Sequence, residues 1–188
     1  VAPQRVVVDV LKAMRAMPDV HLALIANPSN STVQKYVAEF ADLKDRFHVL
    51  SYVPNAQLVS YLSSADIGLI PIHHKLNHEI SLITKFGEYM QARLPIIVSD
   101  VRTMGAEVKR LGNGEVFVAQ VVEDFVANAR KILSNPGKYS AVYTEEVLEE
   151  RSWERQAEKL VGIYNRIAEV NPIKRENKPF KVSEPERR

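Results

Sequence analysis

The residues best suited to chemistry lie in one stretch, PIHHKLNHEISLITKFGE, between Pro71 and Glu88. It holds His73, His74, His78, Glu79 and Ser81, and then Thr84, Lys85 and Glu88 on a segment with helical apolar spacing. Lys85 falls in the first turn of that helix, where free backbone amides and the positive end of the helix dipole already favour an anion. Glu88 follows three residues after Lys85 and four after Thr84, so all three share one face. A cation, free amides and carboxylates together suit a phosphorylated, hydroxyl-rich ligand. An ordinary surface Lys–Glu pair has the same spacing, and such pairs are common and weak.

The histidines invite a metal reading, which the spacing disfavours. His74 and His78 are four apart, a separation that chelates only on a helix, and Pro71 with the Asn-containing loop argues for irregular backbone there. The expectation is that no metal is held and that His73, His74 or His78 serve as neutral hydrogen-bond donors. Without a single Cys among the 188 residues, thiolate catalysis, disulfides and Cys-ligated metals are excluded.

Charge narrows the partners further. The formal net charge is +2, but residues 171–188 hold six Lys or Arg against three Glu, which leaves residues 1–170 at −1. A nearly neutral body is a poor duplex-binding surface, so no nucleic-acid partner is expected. No apolar run approaches the roughly 20 residues that span a bilayer, and a cytoplasmic setting is expected, with peripheral membrane association of a longer parent left open.

The elements that must position these residues alternate between helical and extended patterns. Helical periodicity over 4–17 ends at Pro18, and apolar runs at 20–26, 48–53, 67–72, 95–99 and 115–118 read as strands. Helices are expected after Ser29–Ser31, from Asn55, over 82–92, over 103–111, near 121–133 and 140–150, and over 153–170. Continuous apolar strands between helices imply one parallel sheet covered on both faces, a Rossmann-like doubly wound α/β domain over residues 1–170. Residues 171–188 are expected to be a charged, disordered tail. Trp153 is expected to anchor the last helix by burial, and Asp66 and Asp100 to act as caps or turn formers. Ligands of doubly wound sheets bind at the carboxyl ends of strands, which again favours the loop after 72.

The run ADIGLIPIHHKLNHEISLITKFGEYMQARLPIIVSD resembles the donor-binding segment of group 1, retaining glycosyltransferases of the GT-B fold. MPDVHLALIA, RFHVLSYVPNAQLVSYLSS and SWERQAEKLVGIY occur in that family's order, so the resemblance covers about residues 1–168. It implies transfer of a sugar, of hexosyltransferase type, from a nucleotide diphosphate sugar to an acceptor with retention, without a metal or other cofactor. It implies that Glu88 accepts the ribose hydroxyls and that Lys85 and Arg5 neutralise the diphosphate as catalytic residues. Thr84, Glu79, His78 and Ser81 would line the donor, with backbone at Ser51, Tyr52 and Val53 facing the base. Three positions depart from the family pattern: Ile80 stands where its first Glu falls, with Glu79 one position early; Ile83 replaces a Pro; and Val6 replaces a Gly.

The resemblance also implies that an acceptor-binding N-terminal domain and the first strand of this half precede Val1, so that the chain is a fragment, inactive alone. The absent strand would leave a gap between the strands at 20–26 and 67–72. The alternatives are a nucleotide-sugar epimerase and a non-catalytic regulatory domain of flavodoxin type. The latter calls for an acidic cluster or a phosphate-accepting Asp at strand ends, which the sequence does not arrange.

Overall fold

The structure, a computed structural model, describes residues 5–170 and the side chains from Val6 onward. The chain divides into two compact units at the Leu148–Glu149 junction. The tail 171–188 lies outside the described residues.

The first unit begins with helix α1 (Arg5–Arg15), strand β1 (Leu22–Ile25), helix α2 (Ser31–Glu39), a 3-10 turn (Ala41–Arg46) and strand β2 (Phe47–Leu50). Helix α3 (Asn55–Leu62), strand β3 (Gly68–Ile70), the short helix α4 (Leu76–Ile80) and helix α5 (Thr84–Gln91) come next. Strand β4 (Ile96–Ser99), helix α6 (Arg102–Leu111), strand β5 (Gly114–Phe117) and helices α7 (Val122–Ser134) and α8 (Pro136–Ser140) follow, and α9 (Glu145–Glu150) runs across the junction.

The five strands fall where the apolar runs place them, and every ladder is parallel. They form two sheets rather than one. β1 pairs β2 with Leu22 opposite Phe47, while β3, β4 and β5 form a second sheet with β4 central. Among the described residues no ladder joins the β1–β2 pair to the β3–β4–β5 sheet.

β4 shows why the second sheet is stable. Successive side chains of a strand point to opposite faces, and all four residues of IIVS are buried. Ile97 joins a cluster with Leu11 and Met14 of α1 and Phe125 and Ile132 of α7. Ile96 and Val98 join another with Phe86 and Met90 of α5 and Met104 and Val108 of α6. Helices thus cover both faces, and each fully buried Ile, Val or Phe contributes about 1.5–3 kcal/mol of hydrophobic stabilisation. Only β4 is buried throughout. Strands β1, β2 and β5 keep partial exposure, and in β1 it falls on alternate residues, Ala23 and Ile25, which share one sheet face.

Local chemistry sets the helix ends. Pro18 follows α1, and Arg46 Nη1 donates to the carbonyls of Met14 and Met17 at 3.0 and 2.9 Å, satisfying groups that the helix leaves over. Asn30, between the two expected serines, caps α2 by accepting from the amides of Thr32 and Val33. Asn55 is not a cap: Pro54 takes that position and Asn55 is the first helical residue. The loop expected after β3 contains α4, a single turn that places His78 and Glu79 on helix while His74 stays outside it.

In the second unit, α10 (Trp153–Val170) has the range its periodicity predicts. Trp153, expected to be buried, is 79% exposed. Leu160, Tyr164 and Ile167 on the same helix are also exposed, so the apolar stripe of α10 is not consumed by its own unit.

Candidate functional site

The carboxyl ends of β3, β4 and β5 open on one side, and their loops are tied together by side chains. Ser99, at the end of β4, is wholly buried. Its Oγ accepts from the Ile72 amide at 2.8 Å and donates to the Ile72 carbonyl at 2.6 Å, which pins the chain just after β3. From there the chain passes through His73 and His74 into α4, turns at Ser81, and enters α5.

Glu79 of α4 reaches two partners. Oε1 lies 2.5 Å from His74 Nδ1, and Oε2 accepts from the Arg102 amide at 2.7 Å, capping the first turn of α6 where Val101 offers no capping side chain. The Glu79 carbonyl accepts from Thr103 Oγ1 at 2.6 Å. On the other side of the ring, His74 Nε2 lies 2.9 Å from Asp100 Oδ1, which also accepts from the Ala119 amide after β5 at 2.9 Å. The amide of Arg102, together with His74, holds the Glu79 carboxyl below its ordinary range. Glu79 and Asp100 in turn raise the His74 ring above its ordinary value. His74 thus bridges two carboxylates, which favour its protonated form over the neutral donor expected from sequence, and Asp100 does more than end a strand.

The remaining expected residues are placed as follows. Thr84 and Lys85 open α5 and are exposed, and Glu88 is half-buried one turn on. Among the described residues no side chain caps α5, so the Thr84 and Lys85 amides keep their capacity for an anion, while the Phe86 amide donates to the Ile83 carbonyl at 2.9 Å. Glu88 sits close enough to the half-buried Tyr89 phenol to reinforce the upward shift that partial burial causes there. Ser81 donates to the Asn77 carbonyl, and His78 Nδ1 donates to the His73 carbonyl at 2.7 Å. Tyr52 is exposed and Val53 half-buried, immediately before α3, which packs against α5. The Arg5 side chain lies outside the described residues.

Neither of two surface hollows among the described residues is lined by Lys85 or Glu88. One, of about 310 Å³, lies between Val8, Asp9 and Lys12 of α1 and Gln120 after β5. The other, of about 400 Å³, lies among Glu150, Arg155, Glu158 and Lys159 of the second unit. Among the described residues, no group of three His, Asp or Glu side chains is placed to hold a metal ion, and no helix is long and apolar enough to cross a membrane.

Sequence reasoning passed over Ser99 and the second role of Asp100. The signal for both was the dipeptide Ser-Asp closing a wholly apolar strand, since a hydroxyl that must be buried there needs a backbone partner.

A parallel α/β unit with helices on both sheet faces and an open, cation-bearing helix start is the Rossmann-like architecture of GT-B proteins. Residues 2–159 match the family model described as Glycosyl transferases group 1, and the chain belongs to that family. Two solved structures are similar to it. A sucrose-phosphate synthase from Thermosynechococcus elongatus shares 19% identity with a TM-score of 0.68, over 89% of this chain and 43% of that one. Anabaena HepE, solved in complex with UDP and glucose, shares 15% identity with a TM-score of 0.62, over 90% of this chain and 45% of that one. The chain therefore spans less than half the length of either. No curated protein sequence matches it significantly.

Proposed function

We propose that this chain is the donor-binding half of a retaining glycosyltransferase, which moves a sugar from a nucleoside diphosphate to an acceptor bound by a second domain. The observation that carries the reading is α5: an uncapped helix start with Lys85 in its first turn and Glu88 one turn on, at the carboxyl end of a parallel sheet. Family membership supports it, and so does the bound UDP and glucose in the similar HepE structure.

In this reading Glu88 accepts the ribose hydroxyls and holds the donor in place. Lys85, the α5 amides and Arg5 stabilise the negative charge that grows on the departing diphosphate as the sugar gains oxocarbenium character. Thr84, Ser81 and His78 border the diphosphate and sugar, Glu79 braces the loop that carries them, and backbone at Tyr52 and Val53 faces the base. No metal is required, because the cations and amides supply the charge. Residues 1–170 form this half, and the absence of a ladder between the two sheets leaves room for a further strand between β1 and β3.

The test is calorimetric titration of the chain with a panel of nucleoside diphosphates. UDP or GDP should bind, Glu88→Ala should weaken that binding about ten-fold or more, as loss of a charged hydrogen-bond acceptor does, and equal affinity in Glu88→Ala and its parent would contradict the assignment. In a full-length parent, Lys85→Ala should lower turnover more than donor affinity, the mark of a contact strengthened in the transition state. Conversion of the free donor with no acceptor present would instead make that parent an epimerase.

A further inference from the structure

We propose that His74 is a positioning residue, its ring clasped between Glu79 and Asp100 so that the segment from β3 to α5 is held against α6 and the turn after β5. The functional half of this inference rests on the nucleotide-binding reading above.

The geometry assigns the charge. A carboxylate oxygen only accepts hydrogen bonds, so each ring nitrogen facing one must carry a proton, and only the imidazolium has two N–H groups. His74 faces Glu79 Oε1 at 2.5 Å through Nδ1 and Asp100 Oδ1 at 2.9 Å through Nε2. Each carboxylate is anchored elsewhere by a backbone amide, Glu79 by Arg102 at the start of α6 and Asp100 by Ala119 after β5. The ring thus links the loops that follow β3, β4 and β5. α5 begins four residues after α4 ends, so the orientation of Lys85 and Glu88 is inherited from this clasp.

Other charged and titratable groups surround it. Lys75, His73 and His78 lie on its own segment, with His78 Nδ1 committed to the His73 carbonyl. Arg102 of α6 stands beside Glu79 and helps to hold it ionised. Asp124 in the first turn of α7 is engaged with the Val118 amide, and Gln120 approaches His73 at 3.5 Å. When His74 loses a proton, one carboxylate meets a lone pair in place of a donor, and that side of the clasp opens. The folded ring titrates above its ordinary value of 6.5. The clasp is therefore complete below that value and is lost as pH rises through the raised one.

The experiment compares the parent chain with His74→Gln, a half-exposed change that leaves the core untouched. Ring signals of His74 and amide exchange over residues 82–88 are followed by NMR without ligand, and UDP affinity by calorimetry, from about pH 6 to about pH 9. In the parent, the ring titrates on the alkaline side of 6.5, intrinsic-rate-corrected exchange over 82–88 rises with that titration, and UDP affinity falls roughly five-fold more than in His74→Gln, the ceiling for a half-exposed ion pair. His74→Gln shows raised, pH-independent exchange. An unshifted ring titration, or parental protection of residues 82–88 in His74→Gln, overturns the positioning role. Parallel UDP profiles in the two proteins overturn it as well and leave the nucleotide reading intact. If UDP binds to neither protein while the ring and exchange behave as stated, the positioning role stands and the nucleotide reading falls.

Discussion

Replacing Ser99 by Ala removes one oxygen from the wholly buried end of β4. That oxygen makes two well-formed bonds to the same residue, accepting from the Ile72 amide at 2.8 Å and donating to the Ile72 carbonyl at 2.6 Å. Each bond contributes about 0.5–1.5 kcal/mol net, and removing one partner leaves the other group without compensation. Ile72 is only half-buried, so water recovers part of the loss, and the expected cost is about 2 kcal/mol. With a urea slope of about 2 kcal/mol per molar for a chain of this size, the unfolding midpoint should fall by about 1 M with the slope unchanged. Far-UV circular dichroism reads the midpoint. A second readout is specific to the pin: the Ile72 amide should exchange faster by about thirty-fold, the equivalent of 2 kcal/mol. Ser99→Cys, which keeps a weak donor and acceptor in the same space, should fall between the two. A Ser99→Ala midpoint within about 0.2 M of the parent, with Ile72 still protected, would refute the claim that this hydroxyl ties the β3 loop to the sheet.

Three further outcomes are expected. A Cβ on Gly114 would lie 1.7 Å from the Ile96 carbonyl oxygen, so Gly114→Ala must break the β4–β5 ladder, and the chain should lose its cooperative thermal transition or fail to accumulate as soluble protein. Tyr143 Oη donates to the Leu94 carbonyl at 2.5 Å and accepts from Asn113 Nδ2 at 3.0 Å. Asn113 is fully buried and its Oδ1 has no partner, so the amide cannot recover the bond, and Tyr143→Phe should cost about 2 kcal/mol, a melting temperature lower by about 6 °C in calorimetry. Asp19 is held by Arg130 down to about 2 from its ordinary 3.8. Its contribution is therefore present above 3.8 and disappears as pH falls through about 2, and acid unfolding curves of the parent and Asp19→Asn should differ near neutrality and converge at the acid end.

Much of this molecule was written into local patterns. Apolar periodicity located all five strands and most of the helices, and it set the range of α10 without error. The continuous aliphatic run at Ile96–Ser99 announced a strand buried on both faces, because only a central position can bury both alternating sets of side chains. The same reasoning overreached for β1 and β2, which sit in a two-stranded ladder and keep exposed positions. Periodicity measures what a strand would bury, not whether a neighbour exists to bury it.

The site divides along the same line. Lys85 in a first turn and Glu88 on its face follow from 3.6-residue geometry within one helix, so the sequence by itself determined that pair, and the order of its motifs determined the family. The role of His74 could not be found in that way, because its two partners lie five and twenty-six residues away and meet it only when the ends of β3 and β4 are brought side by side. Trp153 was misjudged for the complementary reason: a large apolar side chain predicts burial only where a surface is available, and among the described residues none covers it. Contacts within about one helical turn are set by backbone dihedrals. Whether a ring is charged, or an indole covered, depends on which distant groups the packed sheet delivers to it, and that only the tertiary structure decided.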